Sequence, residues 1–417
     1  MAVSHDKYSA FRHVSYQRYF LARFLSAFGI QILSVSVAWQ IYDETESALL
    51  LGLIGLVQFL PAVVLVVVTG IASDKLGRRM VMGVSILLQT LCALGILYLA
   101  VTGPFNPVWV LMLLTWFGVA RAFYTPAASS LVVNLVPKAD FANAVGWNTS
   151  AWQLASIVGP AAGGLLYGLS GPVAYGVSAV MFLMSAALIF SIPKPHQIVK
   201  KDDSNLDMIL GGFRYIWKQK IVLGAISLDL FAVLLGGAVA LLPIYARDIL
   251  DLGPTGLGFL RAAPGIGAIA MVFYLSSFPI KDHAGKILFF SVAMFGLMTA
   301  VFGGSKLAWL SIAALIGVGA FDMISVYIRE IILQLWTPDH VRGRVNAVNS
   351  IFLGASNELG EFRAGMMAAV YGAVFTVVGG GLAAVAVAGI WARVFPSLRN
   401  TRSLDSVPDL KSDSEAS

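Results

Sequence analysis

Runs of about 20 apolar residues follow one another through almost the whole chain, parted by short polar stretches, and nothing else in the sequence restricts the fold as strongly. A run of that length spans a bilayer, and hydrocarbon offers no partner to an open strand, so the spans must be helices. Twelve such runs occur, at about 18–42, 49–72, 80–102, 108–135, 143–168, 172–192, 221–246, 256–279, 286–304, 307–336, 345–370 and 373–394. The predicted class is an all-α membrane protein with twelve transmembrane helices. Composition agrees: 12% of residues are charged and mean hydropathy is +0.82, where soluble domains carry roughly one-quarter charged residues.

Lys and Arg set the orientation. They crowd the stretches 1–18, 74–79, 136–143, 193–220, 281–286, 338–344 and 393–417, whereas the connections on the other side hold only Arg247 and Lys306. Basic loops stay inside, so both termini are expected in the cytoplasm. The polar stretch 1–17 leads directly into a long span without a small-residue cleavage site, which argues against a removed signal peptide. The basic residues do not line one face, and nucleic acid is not an expected partner.

The longest connection divides six runs from six and gives expected units of 1–192, 193–220, 221–395 and 396–417. The first and third are helical bundles, the second is a cytoplasmic linker and the last reads as a disordered tail. Within the linker, Leu206, Ile209, Leu210, Phe213 and Trp217 share a helical face flanked by Arg214 and Lys218, which suits a helix lying on the membrane surface; a plain linker turn remains open. The two bundles read as repeats. "SDKLGRR" (73–79) after the second run corresponds to "KDHAGK" (281–286) after the eighth. "LVPKADFANAV" (135–145) corresponds in the same way to "WTPDHVRGRVNAV" (336–348). Parallel six-helix repeats are a transporter arrangement, with the substrate path between them.

Catalysis finds no support in the side chains. The single cysteine, Cys92, lies within an apolar run, and His5, His13, His196, His283 and His340 fall in tails or loops without metal-ligand spacing. No metal, cofactor or enzymatic activity is expected.

Specific motifs add a resemblance. "GIASDKLGRR" (70–79), through Gly70, Asp74, Gly77, Arg78 and Arg79, and "SIVGPAAGG" (156–164), through Gly159, Pro160, Gly163 and Gly164, resemble the loop and fifth-span motifs of the major facilitator superfamily. "SNELGEFRAG" (356–365) and "LDLFAVLLGGAVALLPIYA" (228–246) are similar to the group of that superfamily containing enterobactin exporters and macrolide efflux proteins. The resemblance implies the major facilitator fold in a bacterial inner membrane. It also implies a gate at 70–79 and an exchange-favouring seam in the fifth span. Asp74 then reads as a latch between the halves, although topology alone also accounts for the basic residues. The fourth-span stretch "GVARAFYTPAAS" departs from the family pattern, so only Arg121 carries over.

Charges inside spans are costly, at least about 2.5–3.5 kcal/mol at mid-membrane, and mark candidate functional positions. Arg121 with Tyr124 on its helical face could hold an anionic or hydroxyl-rich substrate, or Arg121 could pair with an acid of another span. Asp322 and Arg329 lie seven apart, nearly on one face, and Asp322 lies deeper than Asp229. Asn357, Glu358 and Glu361 share a helical face, while Arg363 points away. Two carboxylates three residues apart can load and unload a proton, or can pair permanently with arginines of neighbouring spans. The function expected is a monomeric, proton-coupled exporter of a bulky amphipathic molecule such as a siderophore or macrolide, working by alternating access. Import or symport on the same scaffold, and a non-transporting sensor, remain the alternatives.

Overall fold

The structure is a computed structural model and describes residues 7–194 and 205–402. Every regular element among these residues is helical. After a short turn at Ser9–Arg12, the chain runs through α1 (Val14–Thr45), α2 (Ala48–Val64), α3 (Val66–Leu76), α4 (Arg78–Thr102) and α5 (Pro107–Leu131). It continues through α6 (Phe141–Leu169), α7 (Gly171–Phe190), α8 (Asn205–Lys218), α9 (Lys220–Gly236) and the single turn α10 (Leu242–Ile244). The chain closes with α11 (Gly253–Ser277), α12 (Ala284–Gly304), α13 (Ala308–Leu335), α14 (Asp339–Tyr371), α15 (Ala373–Val394) and α16 (Pro396–Arg399).

Local chemistry explains several of these boundaries. Ser47 caps α2 through the amide of Leu50. Asn106 caps α5 just before Pro107, whose missing N–H costs nothing at a first helical position. Gly77 joins α3 to α4 at φ 91°, a conformation side chains resist; the turn expected there from the motif is present.

Nine stretches among the described residues are long and apolar enough to cross a membrane, and the chain is a multi-pass membrane protein. The remaining expected spans coincide with α2, α6 and α14. Leu65 interrupts α2 from α3, and α6 and α14 carry polar residues along much of their length, including "NELGEFR" in α14.

In the first part of the chain α1 packs on α6 and α7, and α4 fits between α5 and α7; in the second, α12 packs on α13 and α15, and α9 meets α15 and α14. Two long seams join the parts, α6 on α11 and α2 on α14. Both depend on missing side chains. A Cβ on Gly164 would lie 2.5 Å from the Pro254 carbonyl oxygen, and one on Gly365 would lie 2.7 Å from the Gly52 Cα. Where these seams end, Arg247 reaches across to α1, meeting Asp43 at 3.0 Å and Glu46 at 3.0 Å, while the Tyr42 hydroxyl donates to Asp248.

The stretch after residue 395 departs from expectation. Residues 396–402 are folded rather than disordered: Pro396 starts α16, Leu398 is fully buried, and the amides of Ala284 and Gly285 donate to the carbonyls of Arg402 and Thr401. A buried apolar anchor, a proline at the helix start and these backbone hydrogen bonds hold the segment together. Residues 403–417 and 195–204 lie outside the described residues, as do the side chains of Leu206, Ile209 and Leu210. In α8, Phe213 and Trp217 are exposed while Ile216 is buried, and Gly212 rests against the Arg344 backbone of α14.

Candidate functional site

α14 carries the charged stretch at mid-length, and its glutamates are received by the absence of a side chain on α2. A Cβ on Gly55 would lie 2.6 Å from Glu358 Oε2 and 3.3 Å from Glu361 Oε2. Neither glutamate is in an ion pair among the described residues. Both nevertheless lie in the field of two arginines from opposite sides, Arg121 of α5 and Arg261 of α11. Arg121 is also placed beside Gln58 of α2, Nη1 to Oε1 3.4 Å. Arg261 donates to the Ser34 hydroxyl of α1 at 3.0 Å. The carboxylates therefore sit in the α2–α14 seam, met by positive charge but not locked to it.

Arg363 does point away, as the helical phase predicts. Its Nη2 donates to the Leu235 carbonyl at 2.6 Å, one residue before α9 ends at Gly236. Asp229 of α9 and Arg329 of α13 form an ion pair with side chains 8% and 3% exposed. That pairing gives each of the two charges a partner within the bundle. Asp322 stays outside it, in the field of both partners.

Asp322 lines a cavity of about 200 Å³ between α9, α11, α12, α13 and α14. Its other polar lining is Arg261, Asn357 and Thr299, and Phe295 and Phe302 are among its apolar walls. Asn357 thus connects the cavity to the glutamates that follow it.

Tyr124 is not with Arg121. It lies in the field of Arg23 and Tyr19 of α1. Arg23 donates to the Tyr19 hydroxyl at 2.9 Å and Tyr19 donates to the Ala128 carbonyl at 2.7 Å. A three-residue spacing allows two side chains to meet but does not oblige them to, and here each follows a different neighbouring helix.

The fifth-span glycines divide between two partners. Gly159 and Gly163 abut Gln31 and Ile32 of α1, whereas Pro160 and Gly164 abut Gly258 and Pro254 of α11. In the loop motif, Gly70 belongs to α3, Arg78 donates to the Ser130 carbonyl and to Asn134, and Arg79 donates to the Ile192 carbonyl. These bonds stay within the first part of the chain. The side chain of Asp74, expected as the latch, lies outside the described residues.

The roles of Arg261, Gln58, Ser34 and Gly55 emerge only from which helices become neighbours. The available signal was Arg261 itself, a lone arginine in an apolar run, which demands a partner or a polar cavity. Gly55 carried none, since its importance depends on which helix lies opposite.

Comparison with known proteins is consistent across three measures. The sequence pattern of the transmembrane secretion effector family matches residues 5–415. The chain is 25% identical over 340 residues to the enterobactin exporter EntS of Shigella boydii serotype 4 (strain Sb227), covering 81% of each chain. It is likewise 25% identical over 340 residues to EntS of Escherichia coli (strain SMS-3-5 / SECEC), with the same 81% coverage of both chains. The fold is similar to a bacterial homolog of the human lysosomal transporter Spinster in its inward-facing, occupied conformation, with TM-score 0.71 and 13% identity, covering 92% of this chain and 95% of that one. A mutant of the nucleoside transporter NupG gives TM-score 0.68 at 14% identity, covering 92% and 99%.

Proposed function

This chain belongs to the transmembrane secretion effector family of the major facilitator superfamily, and from that premise we propose that it is a secondary exporter of a bulky amphipathic molecule, driven by proton antiport. It is a membrane transporter rather than an enzyme. The cargo class is a siderophore or a drug such as a macrolide, and relatives named as enterobactin exporters support the first. The protein acts as a monomer in a bacterial cytoplasmic membrane, with both termini in the cytoplasm. Twelve spans, in two six-helix repeats, rock as units 1–192 and 221–395 around the linker 193–220.

The observation that carries this reading is the unpaired glutamate couple in the α2–α14 seam. Glu358 and Glu361 lie where the two units meet, so each can be exposed to opposite sides as the units rock. Carboxylates that are near arginines but not bonded to them can change protonation without breaking a permanent pair. Two carboxylates this close behave as one coupled couple. The closed Arg247 end and the glycine seams supply one state of the cycle, and separation along the same seams supplies the other.

A second reading rests on Arg121 and Arg261. An anionic cargo held by these arginines would bind better with the glutamates protonated, by mutual linkage. Such a cargo would travel with the proton, as in symport.

Proteoliposomes with an imposed pH gradient and an internal pH dye test both. Enterobactin or a macrolide is added to wild type and to Glu358→Gln. Cargo-dependent proton flow opposite to the cargo, lost in the variant, is expected for antiport; flow in the same direction as the cargo supports the second reading. Absence of cargo-dependent proton flow in wild type would refute proton coupling, and an unchanged response in the variant would return Glu358 to a structural role.

A further inference from the structure

α8 lies against the start of α14 and carries three pairs of residues, each pair one helical turn apart and each offset from the last by one position. At about 100° per residue the pairs form three adjacent stripes. Gly212 and Ile216 make the first and are buried. A Cβ on Gly212 would lie 2.5 Å from the Arg344 carbonyl oxygen of α14, and Ile216 packs in a cluster with Val345 and Val348. Between the stripes' ends, the Tyr215 hydroxyl donates to the Trp336 carbonyl at 3.4 Å. Phe213 and Trp217 make the second stripe. The Phe213 ring meets Phe352 of α14, centroids 5.3 Å apart. Trp217 is 73% exposed, and its indole N–H has no acceptor among the described residues. Arg214 and Lys218 make the third stripe, both exposed.

The third stripe is unfavourable as it stands. Like charges one turn apart on a helix repel, and neither Arg214 nor Lys218 meets a carboxylate among the described residues. Lys220 follows, exposed, as the first residue of α9, where the positive end of the helix dipole disfavours a cation. Gln219 precedes it without a side-chain cap, so the first amides of α9 also lack an acceptor among the described residues. Three positive charges and an uncapped helix start thus gather beside an exposed tryptophan.

We propose that α8 docks on an anionic lipid surface, in the leaflet where α9 enters the membrane, with Phe213 and Trp217 below the headgroups and Arg214, Lys218 and Lys220 on lipid phosphates. Position selects a lipid. α8 ends where the span beginning at Lys220 starts, so Trp217 lies within one turn of the membrane boundary. Tryptophan suits that level, its ring in the apolar layer and its N–H in the wet one. Charge selects an anionic lipid: basic side chains beside an apolar stripe add electrostatic attraction to acidic headgroups. The order of the stripes fits, since the apolar pair lies between the α14 side and the basic side, and long basic side chains can bury their stems while their charges reach the phosphates. Through Gly212 and Ile216 the docked helix holds the start of α14 at the leaflet. Glu358 lies on that same helix, about 21 Å beyond Arg344 at 1.5 Å per residue, so lipid charge acts on the helix that carries both glutamates.

The test is hydrogen–deuterium exchange of the full chain in nanodiscs of phosphatidylcholine alone or mixed with phosphatidylglycerol, read on peptides covering 211–218. Exchange there is expected to be at least about tenfold slower with the anionic lipid, and molar salt should remove the difference. Arg214→Gln combined with Lys218→Gln should abolish the lipid dependence while leaving the melting temperature and the exchange in phosphatidylcholine unchanged, because Gly212 and Ile216 still hold α8 on α14. Trp217→Ala should speed exchange in both kinds of nanodisc. Packing on α14 alone predicts equal exchange in the two lipids; that result overturns the proposal and leaves the exposed face to a protein partner. A lipid dependence that survives in the double variant overturns it as well. Inorganic phosphate added to phosphatidylcholine nanodiscs separates a lipid from a free anion: no slowing is expected, and slowing equal to that by phosphatidylglycerol would assign the three charges to a free anion instead. None of these outcomes depends on transport, so the transporter reading stands or falls separately.

Discussion

Gly164→Ala offers a quantitative check on the seam between α6 and α11. The added methyl would lie 2.5 Å from the Pro254 carbonyl oxygen and 3.0 Å from both N and Cα of Gly258. Ordinary contact begins near 3.4 Å, so the two backbones must part by about 0.9 Å; no flexible side chain is there to yield. Overpacking of this kind costs roughly 1–3 kcal/mol. Alanine is the better helix former by about 1 kcal/mol, but α6 stays helical whichever way the units lean, so that gain cancels between the two states. The cost falls only on the state with the seam closed. Its population relative to the state with the Arg247 end open should drop by about 5–150-fold. Spin labels at Glu44→Cys and Lys306→Cys, both exposed near the Arg247 end, would report it by double electron–electron resonance as a longer distance population in Gly164→Ala. Gly379 serves as control, since a Cβ there meets nothing within 4 Å. An unchanged distance distribution in Gly164→Ala, or an equal shift in Gly379→Ala, would refute the argument that backbone contact holds this seam closed.

Three further outcomes are expected. Asp229→Asn strands Arg329, whose side chain is 3% exposed, and should lower stability by about 3–5 kcal/mol in thermal melts; replacing both partners with leucine and methionine should recover most of the loss, and a wild-type melt for Asp229→Asn would contradict the buried pair. Arg247→Ala removes contacts to Asp43 and Glu46, which are 45% and 71% exposed, so the open population of the same label pair should rise only a few-fold, each exposed pair contributing about 0.2–1 kcal/mol. Wild type in molar salt should approach that variant. Asp140, just before α6, is held below the usual carboxylate range chiefly by its hydrogen bond with His13 and then by one with Ser9. A depressed carboxyl stabilises above its ordinary value near about 3.9 and loses that contribution as pH falls through its folded value. The melting temperatures of wild type and Asp140→Asn should therefore differ at neutral pH and converge in acid; a gap that persists unchanged in acid would exclude the carboxylate as its source.

The parts of this architecture governed by local rules were legible from the amino acids. Apolar runs located the helices, the turn at Gly77 follows from its motif, and the phase of an α-helix places Arg363 away from Glu358. The parts governed by which helices become neighbours were not. Asp322 and Asp229 look alike in sequence, yet among the described residues it is Asp229 that forms the ion pair with Arg329. Tyr124 has the right spacing to join Arg121 and instead answers to Arg23, because α1 rather than α2 lies on its side. Gly55 matters only because Glu358 lies opposite. The segment 396–402 reads as solvent-exposed chain until Leu398 is seen buried against the start of α12.

One bond described above restricts how this sequence can drift. The Arg363 guanidinium meets the Leu235 carbonyl where α9 stops, so the oxygen left without a helical partner is satisfied by a side chain of another helix. Mending the helix by replacing Gly236 and Gly237 would leave the arginine stranded; replacing the arginine alone would leave the carbonyl stranded. Neither change is tolerable first, so the two sites, more than a hundred residues apart in the chain, can be rewritten only together. A homologue with an unbroken helix at this point should lack the arginine as well.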